Sequence, residues 1–424
     1  MEAFATALTY AIPGFIFLIL IEEFAGRIMG VRVNRDMDTI SSISSGITNV
    51  MKSVLGLTLI IISYRWMVEH MAIFEIKSSL LIYILAFIGI DFAGYWSHRF
   101  DHVINVFWNR HIIHHSSEEF NLSCALRQSI SAVVAVYFFL YIPMALIGIP
   151  AEVVALLAPI HLFAQFWYHT RLINKMGWLE YILVTPSHHR VHHAINPEYM
   201  DKNFGQIFIL WDRFFGTFQE EITEKPPVYG IKRPAGTWNP ITINFMHIWL
   251  LIKDAWRTKS WWDKFRIWWM RTGWRPADVI EKYPVYAIED VYQQKKYDSQ
   301  PGTIMKVWAW IQLTIHFSLV YYMLLNVANY QFTEILLYFS FIALSIGAFT
   351  TLMDKNKIAI PMEVLKFMAG MYLLYIMDGW FGLDDVIPFA SYVIGLYLVA
   401  SIAAAIVILK LEVTAKTKNQ LMHG

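Results

Sequence analysis

Nine stretches of roughly 18 to 22 predominantly apolar residues, each long enough to cross about 30 Å of hydrocarbon as a helix, recur along this 424-residue chain near 5–22, 44–64, 79–97, 129–149, 151–169, 304–326, 332–352, 358–377 and 388–409. The sequence therefore predicts an all-α fold: a polytopic membrane helical bundle. Composition bears on the same point, since only 16% of residues are charged, against about a quarter in an ordinary soluble domain.

The charges that remain are distributed unevenly. Arg27, Arg32 and Arg35, then Arg99, Arg110 and Arg127, then most of the Lys and Arg of 170–303, then Lys355 and Lys357, and finally Lys410, Lys416 and Lys418 fall on one side if nine spans alternate. The other side receives the short turn Gly148-Ile149-Pro150 and the loop holding Asp378, Asp384 and Asp385. By the positive-inside rule this predicts an external N-terminus and a cytoplasmic C-terminus. The first apolar stretch lacks a basic leader and a small-residue cleavage site, so it reads as a retained span. A net charge of +1 without a Lys/Arg-rich block argues against nucleic acid as a partner. The single cysteine, Cys124, excludes an intramolecular disulfide and any thiolate metal site of four cysteines, leaving histidine or carboxylate to bind metal.

Three units follow along the chain. Residues 1–235 carry the histidines and end in the cytoplasm. Residues 236–303 form a connector in which Trp238, Trp249, Trp256, Trp261, Trp262, Trp268, Trp269 and Trp274 stand among Lys and Arg, the composition of helices lying in the membrane interface. Residues 304–424 make a C-terminal unit of four spans with no readable chemistry; a homodimer contact, a lipid-access wall and a dock for an electron-donor protein are all compatible with it.

Eleven of the fifteen histidines lie between 98 and 193, where an even spread would put about three. His98 and His102 are four apart at the predicted cytoplasmic end of the third span, so they share a helix face. His111, His114 and His115 follow as HxxHH, offsets of zero, three and four that put three imidazoles on one helical stripe, and the same spacing recurs at His189, His192 and His193. One zinc takes three or four protein ligands. Eight or more clustered imidazoles instead suit two ions with four or five ligands each, and imidazole suits iron as well as zinc or copper. Iron activates O2 to break an unactivated C–H bond and zinc does not. His169, near the end of the fifth span, completes the set, and His188 is either a ligand or a donor to one. His161 lies two helical turns deeper and reads as an intramembrane histidine bonded to another helix. His70, His247, His316 and His423 stand alone. Asp101, Glu118 and Glu119 are placed to orient imidazoles or to be solvated, and Arg127 and Lys202 to meet a lipid head group or a pterin.

HxxxH, HxxHH and HxxHH within about a hundred residues resembles the fatty acid hydroxylase/sterol desaturase superfamily. The likeness extends to His114-His115-Ser116-Ser117-Glu118-Glu119-Phe120-Asn121-Leu122-Ser123, Leu126-Arg127-Gln128-Ser129, Gln165-Phe166-Trp167-Tyr168-His169-Thr170, Thr185-Pro186-Ser187-His188-His189-Arg190-Val191-His192-His193, Asp201-Lys202-Asn203-Phe204-Gly205 and Trp211-Asp212-Arg213-Phe214-Phe215-Gly216-Thr217-Phe218. Over roughly 80–222 these strings look most like the alkylglycerol monooxygenases. The resemblance implies a non-haem di-iron centre with O2 as oxidant and a lipid substrate hydroxylated beside an ether oxygen, with tetrahydrobiopterin or a separate electron-donor protein as reductant. Val103 departs from that pattern, standing where glutamate is frequent. Two other readings stay open: a lipid or sterol desaturase of the same superfamily, and a histidine-rich membrane protein that handles zinc or keeps a metal without catalysis. Transporters place ligands near the bilayer midplane, whereas these clusters sit beyond span ends.

Overall fold

The computed structural model describes the backbone of residues 2–423 and the side chains of 4–412, so Lys416, Lys418 and the His423 side chain lie outside the described residues. In chain order the helices are α1 (Glu2–Ile28), α2 (Asp36–Val54), α3 (Tyr64–Met71), α4 (Leu80–Val103), α5 (Asn105–His115), α6 (Ile142–Ile147), α7 (Ala151–Phe163), α8 (Pro186–His192), α9 (Leu210–Phe215), α10 (Pro240–Arg257), α11 (Trp261–Arg266), α12 (Ala277–Lys282), α13 (Thr303–Asn326), α14 (Phe332–Met353), α15 (Ala359–Ile376) and α16 (Ala390–His423). One short parallel strand pair, β1 (Leu59–Ile60) with β2 (Val134–Ala135), sets Leu59 opposite Val134.

Among the described residues six helices, α1, α4, α13, α14, α15 and α16, are long and apolar enough to cross a membrane. The polytopic helical bundle expected from the sequence is thus present, but three of the nine expected spans are not single helices. Over 44–64 the chain finishes α2 at Val54, turns at Gly56 (φ +62°) and enters β1. The polar face of α2 explains this: Ser41 donates to Trp238 O (2.7 Å), Ser45 to Gln128 O (3.1 Å) and Lys52 to Ser129 O (2.8 Å), so the helix is held against protein and not lipid. Over 129–149 the hydroxyls of Ser129 and Ser131 pair with each other (3.0 Å), and Ser131 donates to Asn109 O (3.0 Å). Those side-chain bonds compete with a helical ladder, and regular helix begins only at α6. The third, over 151–169, stops at Phe163, and the loop beyond it returns His169 toward the other histidines.

The tight hairpin expected at Gly148-Ile149-Pro150 joins α6 to α7. Gly148 has φ +90°, and a Cβ there would fall 2.0 Å from Phe74 O, so glycine is required. Val153 and Val154 of α7 pack with Ile82, Ala86 and Ile90 of α4, which aligns α7 beside the helix that carries His98 and His102.

The larger apolar core joins α2 (Met37, Ile40, Ile47, Met51) to α13, α14, α15 and α16, and includes Trp238. Inside the last four helices lies a buried polar knot. Lys366 Nζ meets Glu363 Oε2 (2.5 Å) and Ser401 Oγ (2.6 Å), while Gln312 donates to Ser401 (3.0 Å) and accepts from Tyr397 (2.6 Å). The tryptophan-rich connector is docked as well as exposed. Trp256 and Trp261 are exposed, yet the loop after α11 grips the α4–α5 junction: Asn105 Nδ2 donates to Ile267 O (2.9 Å) and Trp274 O (3.0 Å), and Asn105 N to Met270 O (2.9 Å).

One buried ion pair fixes α2 to the loop after α5. Arg127 donates to Asp38 Oδ2 (2.9 Å), Ser42 Oγ (2.9 Å) and Ser116 Oγ (2.8 Å), and both charged side chains are 2% exposed. Removing one partner strands the other charge, a loss of about 3–5 kcal/mol. Arg127→Ala should therefore lower the thermal unfolding midpoint of detergent-solubilised protein sharply, whereas Arg27→Ala, in an exposed pair with Glu23, should leave it nearly unchanged.

Candidate metal centre

Two adjoining groups of imidazoles form at the C-terminal end of α4. His98, His102, His111, His115 and His192 offer ligand atoms within 4.8 Å of one another, and His114, His169, His189 and His193 do the same. Helix geometry makes the division. In α5, His111 and His115 are one turn apart and enter the first group, while His114 turns into the second. In the second HxxHH the allocation reverses: His189 and His193 enter the second group and His192 the first. Each motif thus serves both groups, and the rings of His115 and His193 stack at 4.3 Å where the groups meet. The sequence reading of one stripe per motif missed this crossing, because i+3 and i+4 positions diverge just enough around a helix to face different centres.

Four rings have their tautomer set by backbone. A carbonyl can only accept, so Nδ1 is the donor from His98 to Phe204 O (2.8 Å), from His192 to Lys202 O (3.0 Å), from His114 to Arg127 O (3.3 Å) and from His169 to Gln165 O (3.1 Å). Their Nε2 atoms then carry lone pairs. Nevertheless His114 Nε2 and His169 Nε2 lie 3.3 Å apart, two lone pairs face to face. His192 Nε2 is buried with no hydrogen-bond partner among the described residues. Such contacts need a cation between them. A proton is disfavoured, since burial first, with neighbouring imidazoles adding to it, holds His169 well below the ordinary imidazole range, and burial holds His114 at about 3. His111, His115, His189, His192 and His193 are pushed down by the same burial. Neutral imidazole is the metal-binding form, so the donor set fits one metal ion in each group.

Aromatic rings enclose the groups. Phe204 packs against His98, His102 and His192, Phe120 against His169, His189 and His193, and Trp108 against His102 and His115. All nine clustered histidines except His111 are buried.

A family model described as fatty acid hydroxylase matches residues 83–217, the stretch that supplies every one of these imidazoles. Alkylglycerol monooxygenase of Homo sapiens is 34% identical over 369 residues, covering 86% of this chain and 81% of the relative. Its counterpart in Danio rerio is 33% identical over 372 residues, with the same coverage. The chain belongs to the alkylglycerol monooxygenase family. The ornithine lipid hydroxylase OlsE of Rhizobium tropici is 27% identical over 135 residues, 32% of this chain and 41% of the relative. No solved structure matches the chain.

In this member of the alkylglycerol monooxygenase family, several residues singled out from sequence fall outside the two groups. His188 closes a capping box with Thr185 and packs on Phe218, so its ring is directed away from the ligands. His161 Nε2 meets Asp91 Oδ1 of α4 at 2.7 Å, the pairing to another helix that its sequence position suggested. Arg127 spends its guanidinium on Asp38, Ser42 and Ser116, which leaves it inside the protein and not against a head group or pterin; it serves the centre through its carbonyl. Lys202 likewise reaches the centre through its carbonyl. The carboxylates do other work: Asp101 accepts from Tyr137 (2.5 Å), Glu118 from Tyr297 N (2.5 Å), and Glu119 pairs with Lys296 (2.6 Å) and Arg171 (3.1 Å). Backbone carbonyls, for which sequence carries no signal, take the orienting role instead.

The partition predicts distinct outcomes for three alanine variants. His115→Ala or His193→Ala removes a ligand that no neighbour can replace, and bound metal measured by elemental analysis should fall. His161→Ala should keep its metal, because only the bond to Asp91 is lost.

Proposed function

We propose that the chain is an O2-dependent, non-haem di-iron monooxygenase that hydroxylates a lipid, with an ether lipid of the alkylglycerol type as substrate and hydroxylation at the carbon beside the ether oxygen. The observation that supports this most directly is the pair of buried five- and four-histidine groups with lone pairs turned inward. Iron is favoured over zinc because insertion of oxygen into an unactivated C–H bond needs a redox metal, and because the named relatives are monooxygenases. His98, His102, His111, His115 and His192 would hold one ion, and His114, His169, His189 and His193 the other. Bound there, two iron ions supply activation of O2, one atom going to the lipid and the other leaving as water with two electrons and two protons from a reductant.

The rest of the work belongs to the protein. Carbonyls of Lys202, Phe204, Arg127 and Gln165 hold imidazoles in the ligating tautomer. Phe204, Phe120 and Trp108 exclude water, which protects a reactive centre from side reactions. The six membrane-length helices and the exposed tryptophans of α10 and α11 support a centre at the edge of the bilayer that contains the substrate. The two electrons come from tetrahydrobiopterin or from a separate electron-donor protein. Most of the Lys and Arg outside the membrane-length helices lie in 98–128 and 170–303, the segments around the histidine groups, which by the positive-inside rule supports a cytoplasmic centre. The desaturase alternative is separated by product: hydroxylation retains one atom of labelled O2 in the lipid or its cleavage product, and desaturation retains none.

Anaerobically purified protein should contain close to two iron ions per chain and should consume O2 when supplied with an alkylglycerol and reduced pterin. One ion per chain, or zinc retained under iron-replete conditions, counts against this reading. For sidedness, a cysteine at Lys259 should resist an impermeant thiol reagent in sealed vesicles with the cytoplasmic face inward, and one at Asp385 should react; Cys124 is fully buried and contributes no background. The reverse pattern would place the centre on the opposite face.

A further inference from the structure

The two histidine groups differ in what supports them. The five-histidine group leans on one short loop: His192 donates to Lys202 O (3.0 Å) and His98 to Phe204 O (2.8 Å). That loop is held in an unusual backbone conformation, with φ +56° at Asp201 and +55° at Asn203, a region that residues with a side chain rarely occupy. Asn203 is tied down by donating to His188 O (3.1 Å) and Gln219 O (2.7 Å). The residues that follow it are tied to Asp212. Asp212 Oδ1 accepts from Phe204 N (2.8 Å) and Thr217 Oγ1 (2.6 Å), and Oδ2 accepts from Gly205 N (2.7 Å). Asp212 is fully buried. A Cβ at position 205 would lie 2.9 Å from its Oδ2, so glycine is what lets the carboxylate approach.

The four-histidine group rests on other supports. His114 donates to Arg127 O and His169 to Gln165 O, and neither carbonyl belongs to the 201–205 loop.

From this asymmetry we infer that Asp212 is a positioning residue for one metal position only, the five-histidine one, acting through the Lys202–Gly205 backbone. The inference rests on the di-metal reading above. Both carboxylate oxygens face N–H or O–H donors, so Asp212→Asn turns an amide N–H2 toward at least one of them and drives the loop carbonyls away from His98 and His192. Losing the group that orients metal-ligating histidines lowers metal affinity by about 10- to 100-fold, here at one position of two.

The test compares wild-type protein, Asp212→Asn and the milder Thr217→Val, which removes one donor to Oδ1. Iron per chain is measured by elemental analysis after equilibration with a chelator, and folding by size-exclusion chromatography and thermal unfolding. Wild-type protein should hold two ions and Asp212→Asn one. The remaining ion should be lost when His189→Ala is added and kept when His102→Ala is added, which assigns it to the four-histidine group. If Asp212→Asn does not fold, Thr217→Val decides: its chelator release should split into an early loss of one ion and a late loss of the second. A folded Asp212→Asn that keeps both ions, or loses both, overturns the inference, as does a Thr217→Val release curve superimposable on wild type. Wild-type protein with one ion would overturn the di-metal reading instead.

Discussion

Nine imidazoles gathered together, eight of them buried, set lone pairs against one another, and in a space that excludes water an unmatched polar atom is costly, so the arrangement calls for a cation. Much of the surrounding structure follows from that requirement. The rings must be neutral, which burial enforces, and their tautomers must be set, which carbonyls at Lys202, Phe204, Arg127 and Gln165 accomplish. Those carbonyls must themselves be held still. Hence the buried Arg127–Asp38 pair that pins α2 beneath the centre, and the carboxylate of Asp212 behind the 201–205 loop.

The two histidine groups were legible in the sequence because metal-binding motifs leave a residue-type signal at fixed spacing. HxxxH and the two HxxHH runs supply eight of the nine clustered imidazoles, and His169 follows from its place at the end of an apolar run. What spacing did not show is how the rings are shared, since a helical stripe says which residues lie on one side and not which of two neighbouring centres each will face. Membrane character was equally legible, but span number was not. Hydropathy alone does not separate a run facing lipid from one facing protein, and the serines and Lys52 of α2 and the hydroxyls of Ser129 and Ser131 decide two of those cases through local hydrogen bonds. Arg127 and Lys202 were picked out by charge and serve through carbonyls, a role in which the side chain gives no clue.

The connector between the two membrane units also has a part in this arrangement. Asn105 lies between His102 and His111, and both its backbone and its side chain are bonded to residues 267–274, while His247 of α10 meets Asn105 O at 2.8 Å. The junction of two ligand-bearing helices is thus clamped by the same segment that presents Trp256 and Trp261 to its surroundings. Exposed tryptophans and clustered imidazoles are thus tied to one hydrogen-bonded piece of backbone.

The polar knot in the last four helices has a consequence for how the chain is made. Glu363 and Lys366 sit one turn apart on α15, so their charges compensate each other within a single helix, and that helix can partition into the bilayer as a nearly neutral unit before α16 follows it and before it packs with α13. Gln312, Tyr397 and Ser401 complete the pairing only once the neighbouring helices are beside it. The histidine groups have no such early form, since each draws on α5, α8 and a further segment, α4 for one and the loop after α7 for the other. During biogenesis, then, insertion of the C-terminal helices is locally encoded, whereas the centre exists only after segments almost a hundred residues apart have met.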